Sequence, residues 1–173
     1  MSRDIEALLN TTEPPELGPQ HRKGTQSIGD IDRLLGANAA PLLRATVLLW
    51  HDHLDQAHTI SQDINTTDSS YLHGIVHRRE PDYGNAKYWF HRVPRHPIFE
   101  QLAVVAKELA AQAQLDPPAD FLIEQATWNP LRFVDLCEAI ARGRSRCEKL
   151  AREFARLEWQ LLFEHCYQQA AGL

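Results

Sequence analysis

Two short runs of histidines and acidic residues have the spacing of a single helix face. Both follow the pattern i, i+4 and i+7: the first run is His51, Asp55 and His58, and the second is His73, His77 and Glu80. At about 100° per residue, the members of each run lie on one side of a helix. Neutral imidazoles and carboxylates on facing helices are a common way for helical proteins to bind a divalent metal ion. We therefore expect the two runs to face each other around one site.

The residue types of this site fit a divalent metal such as zinc, iron or manganese, and they also fit acid–base catalysis. Imidazole is the side chain whose ordinary pKa lies closest to neutral pH, so it can donate or accept a proton there. The candidate metal ligands are His51, Asp55, His58, His73 and His77. The candidate catalytic groups are His73, His77 and Asp55.

The charge of the chain is unevenly distributed around this region. Residues 77–96 contain five Lys and Arg side chains against two acids, while the whole chain has a net charge of −5. A basic island on an acidic body favours a small anionic ligand and argues against nucleic acid, because a long polyanion would be repelled elsewhere. The candidate substrate-binding residues are Arg78, Arg79, Lys87, Asn85 and Tyr88.

These residues leave two functional interpretations open. In the first, the protein is a small hydrolase- or lyase-type enzyme that acts on an anionic small molecule. In the second, it is a non-catalytic ligand-binding or interaction protein, and the same histidines and arginines form a structural polar network. Histidines at the edge of a core are often satisfied by a carboxylate or a carbonyl and then simply tie helices together.

The second run lies in a distinctive segment, His73-Gly-Ile-Val-His-Arg-Arg-Glu-Pro-Asp-Tyr-Gly-Asn-Ala-Lys-Tyr-Trp-Phe90. This string resembles the signature of a group of small proteins with no established activity. The resemblance extends to Trp50-His-Asp-His-Leu-Asp55 and covers about a seventh of the chain. It implies a shared site but no particular reaction.

The elements that must position these residues are predicted to be helices. Apolar residues recur with a helical period and no segment alternates with period two, which predicts an all-α fold. We expect a compact bundle of five or six helices in a single domain over residues 41–173. An irregular arm over residues 1–40, rich in proline, glycine and polar residues, precedes it and contains a brief helix ended by Gly36. A long helix over residues 41–64 and a second over 69–79 would carry the two runs, and Asp52 would point to solvent. Asp82 and Asn129 are expected to cap two later helices, and Ser145 with Glu148 is expected to form a capping box at the start of the last helix.

Gly74 lies inside the second predicted helix, where glycine costs roughly 1 kcal/mol relative to alanine. Three causes would explain it: close packing of another helix, a left-handed backbone, or room for a ligand beside His73 and His77. We favour close packing.

The remaining features exclude several classes of protein. The chain has no phosphate-binding loop, dinucleotide-binding fingerprint or serine-hydrolase elbow. It has no apolar run of the ~20 residues that a membrane helix needs, and its first residues lack the apolar core of a secretory signal. Its three cysteines form no Cys-x-x-Cys pair. We therefore expect reduced thiols in a cytoplasmic protein without a membrane partner.

Overall fold

The computed structural model describes residues 6, 8, 9, 11 and 13–172. Within these residues the fold is all-helical, as predicted, and contains no strand. Nine α-helices have their bounds there: α1 Ile28–Leu35, α2 Pro41–Trp50, α3 Leu54–Gln62, α4 Thr67–Arg79, α5 Tyr83–His91, α6 Phe99–Ala110, α7 Phe121–Glu124, α8 Pro130–Ala141 and α9 Glu148–Ala171. A 3₁₀ turn, Pro117–Ala119, precedes α7. The number of helices exceeds the five or six that we expected.

Helix α4 lies at the centre of the molecule, and its residues 69–79 are all buried. Helices α3 and α5 pack against it along the chain, and α2 and α9 also contact it. A helix covered on every side is normally apolar all round, but α4 carries His73, His77, Arg78 and Arg79 into the interior. Burying such groups is costly unless they find partners. The polar chemistry of the fold is therefore concentrated around this helix.

The helix predicted over residues 41–64 is two helices. Helix α2 ends at Trp50 and α3 begins at Leu54, and Asp52 between them has a φ of 66°. A residue in the left-handed region ends the α-helical hydrogen-bond ladder, and aspartate adopts this conformation more readily than most residues. Because of the break, His51 does not share a helix face with the residues of α3. The predicted alignment of His51 with Asp55 and His58 on one helix face was therefore wrong.

The N-terminal arm packs against the helical body. Its residues Leu8 and Ile31 are fully buried, and Arg22 is 7% exposed. The brief helix predicted in the arm is observed as α1, and Gly36 after it has a φ of 82°, which favours glycine. The Arg22 side chain donates hydrogen bonds to the Asp52 carboxylate and to two backbone carbonyls. Polar as well as apolar contacts therefore hold the arm to the α2–α3 break.

Side-chain caps begin four of the helices, and the first is Ser27, whose hydroxyl accepts a backbone hydrogen bond at the start of α1. Asp82 accepts a backbone hydrogen bond at the start of α5, and Asn129 accepts two at the start of α8, both as predicted. Thr66 caps α4, slightly earlier than the start we expected. The capping box expected at Ser145 does not form, because its hydroxyl donates to Asp116 and α9 begins at Glu148 without a side-chain cap.

Gly74 in α4 faces the ring of Phe90 in α5. A Cβ atom on Gly74 would lie 2.8 Å from one ring atom of Phe90 and 2.9 Å from two others. The Phe90 ring is buried and packs edge-on against Tyr71, with 5.2 Å between the ring centroids, so it has little room to move. Close packing of a neighbouring helix, the cause that we favoured, therefore explains this glycine.

Gly74→Ala is expected to lower the free energy of unfolding by about 1 kcal/mol, because overpacking costs about 1–3 kcal/mol and the gain in helix propensity is only about 1 kcal/mol. Urea unfolding of the variant beside the parent measures the difference. Gly84→Ala in α5 is the matched control, because the nearest atom to its added Cβ lies 3.9 Å away. The control should be neutral or slightly stabilising, and a stabilised Gly74→Ala protein would contradict the packing explanation.

Cys137, Cys147 and Cys166 are buried free thiols. Burial raises the pKa of Cys137 and of Cys166 to about 12. Both thiols are therefore protonated near neutral pH and are poor nucleophiles. In the described part of the chain, no helix has the length and apolar character to cross a membrane.

Candidate functional site

Three imidazole rings meet where α3 packs against α4. The ring centroid of His58 lies 4.5 Å from that of His73 and 5.0 Å from that of His77. The centroids of His73 and His77, one helical turn apart on α4, are separated by 4.7 Å. One potential ligand atom from each ring lies within 4.8 Å of the other two. The expected proximity of the two histidine runs is therefore confirmed for His58, and we call these three residues the triple-histidine cluster.

Two further side chains hold the rings of the cluster in place. Glu80 ends α4, and its Oε2 atom lies 3.0 Å from Nδ1 of His77. The indole of Trp89 stacks on His73, with 4.0 Å between the ring centroids and 12° between the planes. A carboxylate beside one ring nitrogen leaves the opposite nitrogen available to a ligand. Glu80 is therefore placed to fix the orientation of His77.

One nitrogen of His73 has no partner. Nδ1 of His73 is buried and makes no hydrogen bond to any described residue, and the same holds for Nδ1 of His77, whose 3.0 Å contact with Glu80 lacks hydrogen-bond geometry. Two buried histidines elsewhere do find partners: His51 contacts Leu8 O and Gln26 N, and His96 contacts Asp68. A buried polar atom without a partner is uncommon and points to an ion, a water molecule or a ligand.

The cluster is electrostatically suited to neutral imidazole. Burial, together with the neighbouring His58 and His77, lowers the pKa of His73 to about 4. Burial also lowers the pKa of His77, although the Glu80 carboxylate acts in the opposite direction. Since a metal ion binds the neutral ring, these two side chains are in the ligand form near neutral pH. His58 is only half-buried, so the cluster can be reached from the side of α3.

Two other candidate ligands lie outside the cluster. His51 caps the end of α2, where its Nε2 atom lies 2.8 Å from Leu8 O and its Nδ1 accepts a hydrogen bond from Gln26 N at 3.1 Å. Both of its ring nitrogens are therefore used to hold the arm. Burial lowers the pKa of His51 to about 4, although the Leu8 carbonyl opposes this. Asp55 is exposed on α3 and is not part of the cluster.

Arg78 is buried in an ion pair. Only 2% of its side chain is exposed, and its Nη2 atom lies 2.5 Å from Oε2 of Glu158, whose side chain is 0% exposed. The same carboxylate accepts a hydrogen bond from the hydroxyl of Tyr71 at 2.7 Å, and that hydroxyl accepts one from Trp128 Nε1 at 3.1 Å. We expected an exposed guanidinium that binds an anionic ligand. Arg78 instead belongs to a buried polar network that joins α4 to α9.

Arg79 is buried in a second network. Its Nη2 atom lies 2.8 Å from Oδ1 of Asp52, and Arg22 lies 3.0 Å from the other carboxylate oxygen. Arg79 also donates to the carbonyls of Leu49 and Gly18. Burial tends to raise the pKa of Asp52, but the Arg79 charge and the bonds from Arg22 outweigh it and lower that pKa. We had expected Asp52 to be solvated, and it is instead the anchor of two arginines.

The remaining candidate substrate residues lie on α5, on the surface. Lys87 is 37% exposed and forms an ion pair with Asp135 of α8 at 2.6 Å. Asn85 donates from its backbone and its side chain to the capping residue Asp82. Tyr88 is 56% exposed. The structure does not bring these three side chains into the triple-histidine cluster.

A second group of ligand-type residues was missed by the sequence analysis. Asp68, His96 and His165 offer ligand atoms within 4.8 Å of one another. Asp68 and His165 are 97 residues apart in the chain, so no local spacing connects them. Only the tertiary packing of α9 against α4 and the start of α6 brings them together.

Comparison with protein-family models, with curated proteins and with solved structures found no match to this chain.

Proposed function

We propose that His58, His73 and His77 bind a divalent metal ion, zinc in the first instance, and that the protein is a small hydrolase- or lyase-type enzyme. The observation that carries this proposal is the buried, unpartnered Nδ1 atom of His73 inside a cluster of three imidazoles. The proposed setting is the cytoplasm, where buried free thiols remain reduced.

The ligand set supports a catalytic rather than a closed structural centre. Structural zinc sites normally have four protein ligands, whereas three protein ligands leave a position for water or substrate. Three neutral imidazoles would also leave the charge of the ion uncompensated, and such an ion would supply a water molecule of lowered pKa as a nucleophile near neutral pH. The proposed role of Glu80 is to hold His77 in position, as carboxylates do for many metal-bound histidines.

An anionic small molecule remains the proposed substrate, but Arg78 and Arg79 are not the groups that would bind its charge. Because Arg78 and Arg79 are paired within the interior, the positive charge that attracts an anion would be that of the metal ion. A surface pocket of about 380 Å³ beside Glu80 is lined by the acids Asp52, Asp55 and Glu80 and by none of the three cluster histidines. The anion would therefore bind at the ion itself and not in this pocket.

Zinc titration of untagged, chelator-treated protein tests the metal centre. The parent is expected to bind zinc. Loss of a side chain that only orients a metal ligand weakens metal binding by about 10- to 100-fold, and Glu80→Gln should weaken zinc binding by that amount. Loss of a ligand should matter more, so His58→Ala is expected to weaken zinc binding at this centre by at least 100-fold. Competition with a zinc-binding dye measures both affinities.

His91→Ala is the matched control for this titration, because His91 is an exposed histidine that belongs to neither group of ligands. It should bind zinc like the parent. A metal-dependent hydrolysis of 4-nitrophenyl acetate that disappears in His58→Ala would support catalysis. Equal zinc affinity in the parent and in a folded His58→Ala variant would contradict the proposal.

A further inference from the structure

Asp68, His96 and His165 form a group that the triple-histidine cluster does not use. Asp68 lies in the first turn of α4, His96 lies just before α6, and His165 lies in α9. Nε2 of His96 is 2.9 Å and Nε2 of His165 is 3.2 Å from the same carboxylate oxygen of Asp68. Both imidazoles therefore place Nε2 against the same Asp68 oxygen, and three separate elements supply the three potential ligand atoms, which lie within 4.8 Å of one another.

These separations match the ligand spacing around a small divalent cation. Zinc binds nitrogen and oxygen at about 2.0–2.2 Å, so two ligands on one tetrahedral ion lie about 3.3–3.5 Å apart. The observed oxygen–nitrogen distances of 2.9 and 3.2 Å differ from that spacing by a few tenths of an ångström. The two imidazole rings are 5.1 Å apart between centroids and inclined by 65°, so they approach Asp68 from different directions.

The surroundings of the group permit a bound cation. The side chains of His96, Asp68 and His165 are 0%, 14% and 17% exposed, so the ion would lie mostly out of water. A surface pocket of about 620 Å³ is lined by His96 but not by Asp68 or His165, so it reaches the group at His96 alone. The charge of one carboxylate and two neutral imidazoles partly compensates that of a divalent ion.

A cation at this group would replace the contacts of Asp68 Oδ1 with Nε2 of His96 at 2.9 Å and with Nε2 of His165 at 3.2 Å, and the proton on Nε2 of His96 would have to move to Nδ1. Nδ1 of His96 accepts from Ile98 N at 3.4 Å, a long distance for such a bond. The tautomer with a proton on Nδ1 and a free Nε2 is therefore readily accessible to His96. Nε2 of His165 also contacts the amide nitrogen of Gln169 at 2.8 Å, but Gln169 is exposed and can turn away.

We propose that Asp68, His96 and His165 are a second binding site for a divalent cation of the zinc type, which fastens the last helix to the central helix. The site shares no ligand with the triple-histidine cluster, so it does not depend on the function proposed above. Its ligands are two imidazoles and a carboxylate, and the fourth position is left to water, so the site is not closed by four protein ligands as most structural zinc sites are. Its proposed effect is on stability, because one ligand comes from α4, one from the segment before α6 and one from α9.

Zinc stoichiometry separates this site from the first. Untagged protein is stripped with a chelator and equilibrated with zinc chloride, free zinc is removed, and bound zinc is measured by mass spectrometry. The parent should bind one more equivalent of zinc than either His165→Ala or His58→Ala. The double variant His58→Ala/His165→Ala should bind none, and His91→Ala should match the parent.

A thermal melt provides a readout that the first site does not affect. In the His58→Ala background, added zinc should raise the melting temperature, because a ligand that binds only the folded state stabilises it. Adding His165→Ala to that background should abolish the rise. If His165→Ala does not fold, His165→Gln removes the imidazole while keeping a donor that can reach Asp68, and the same loss is expected.

The outcomes distinguish the two proposals. Folded His58→Ala protein that binds no zinc and shows no rise in melting temperature would overturn the second site and leave the first intact. Zinc binding that is lost in His165→Ala but unchanged in His58→Ala would support the second site and overturn the first.

Discussion

Replacing Glu158 by alanine is expected to lower the free energy of unfolding by about 3–5 kcal/mol, the range for breaking a buried ion pair by removing one partner. The Glu158 carboxylate is fully buried and accepts hydrogen bonds from Arg78 and Tyr71. Its removal leaves the Arg78 guanidinium charged and unpaired in the interior. Chemical denaturation of the variant and the parent measures the loss.

Two further variants control this measurement. Glu153→Ala on the same helix removes a partly exposed carboxylate that pairs with Arg156, and it should change stability by less than about 1 kcal/mol. The double variant Arg78→Met/Glu158→Leu replaces both charges with apolar groups and should recover most of the stability, since such replacements are often neutral or stabilising. A single Glu158→Ala variant as stable as the parent would show that Arg78 finds another partner.

Asp52→Ala is expected to lower the free energy of unfolding by a similar 3–5 kcal/mol, because it leaves two buried arginines without their carboxylate. The side chains of Arg22, Arg79 and Asp52 are 2%, 4% and 0% exposed. Alanine also tolerates a positive φ less well than aspartate, which adds to the loss. Because Arg22 belongs to the arm, limited proteolysis should detect earlier cleavage within residues 13–26 as well as lower stability.

Asp52→Asn separates charge from conformation in this prediction. Asparagine tolerates the left-handed backbone but replaces one of the two acceptor oxygens with an amide donor, so any destabilisation in this variant reports the lost charge and the lost acceptor and not the backbone conformation. Asp55→Ala, an exposed acid near the start of α3, is the surface control and should stay within about 0.5 kcal/mol of the parent. Normal stability in Asp52→Ala would mean that the arm is not held through this carboxylate.

Local signals in the sequence were sufficient for the class of fold and for many helix ends. Helical periodicity predicted the all-α fold, and Asp82 and Asn129 marked helix starts through caps that are local by nature. The break at Asp52 was missed because apolar residues continue on both sides of it. The departure from helical geometry at this position is stabilised by Arg22 and Arg79, which lie 30 and 27 residues away in the chain.

At the candidate site, too, the sequence predicted what depends on neighbouring residues and missed what depends on distant ones. His73 and His77 are one helical turn apart, which the sequence shows directly. Their proximity to His58 could also be predicted, because α3 and α4 are consecutive helices. The roles expected of the arginines depended on exposure, and exposure depends on distant partners such as Glu158, 80 residues from Arg78. One sequence contains no signal for such a pairing.

The polar contacts of α9 with α4 and with α2 also bear on how the chain folds. Tyr71 bonds with Glu158 across 87 residues, and Trp159 donates to Thr46 O across 113. Helical proteins usually fold fast because their contacts are local, but α4 cannot be buried with its charges paired until α9 has docked. Loop closure over such separations must precede these contacts. We expect slower folding than is usual for a helical domain of this size, with α4 and α9 acquiring protection from hydrogen exchange together.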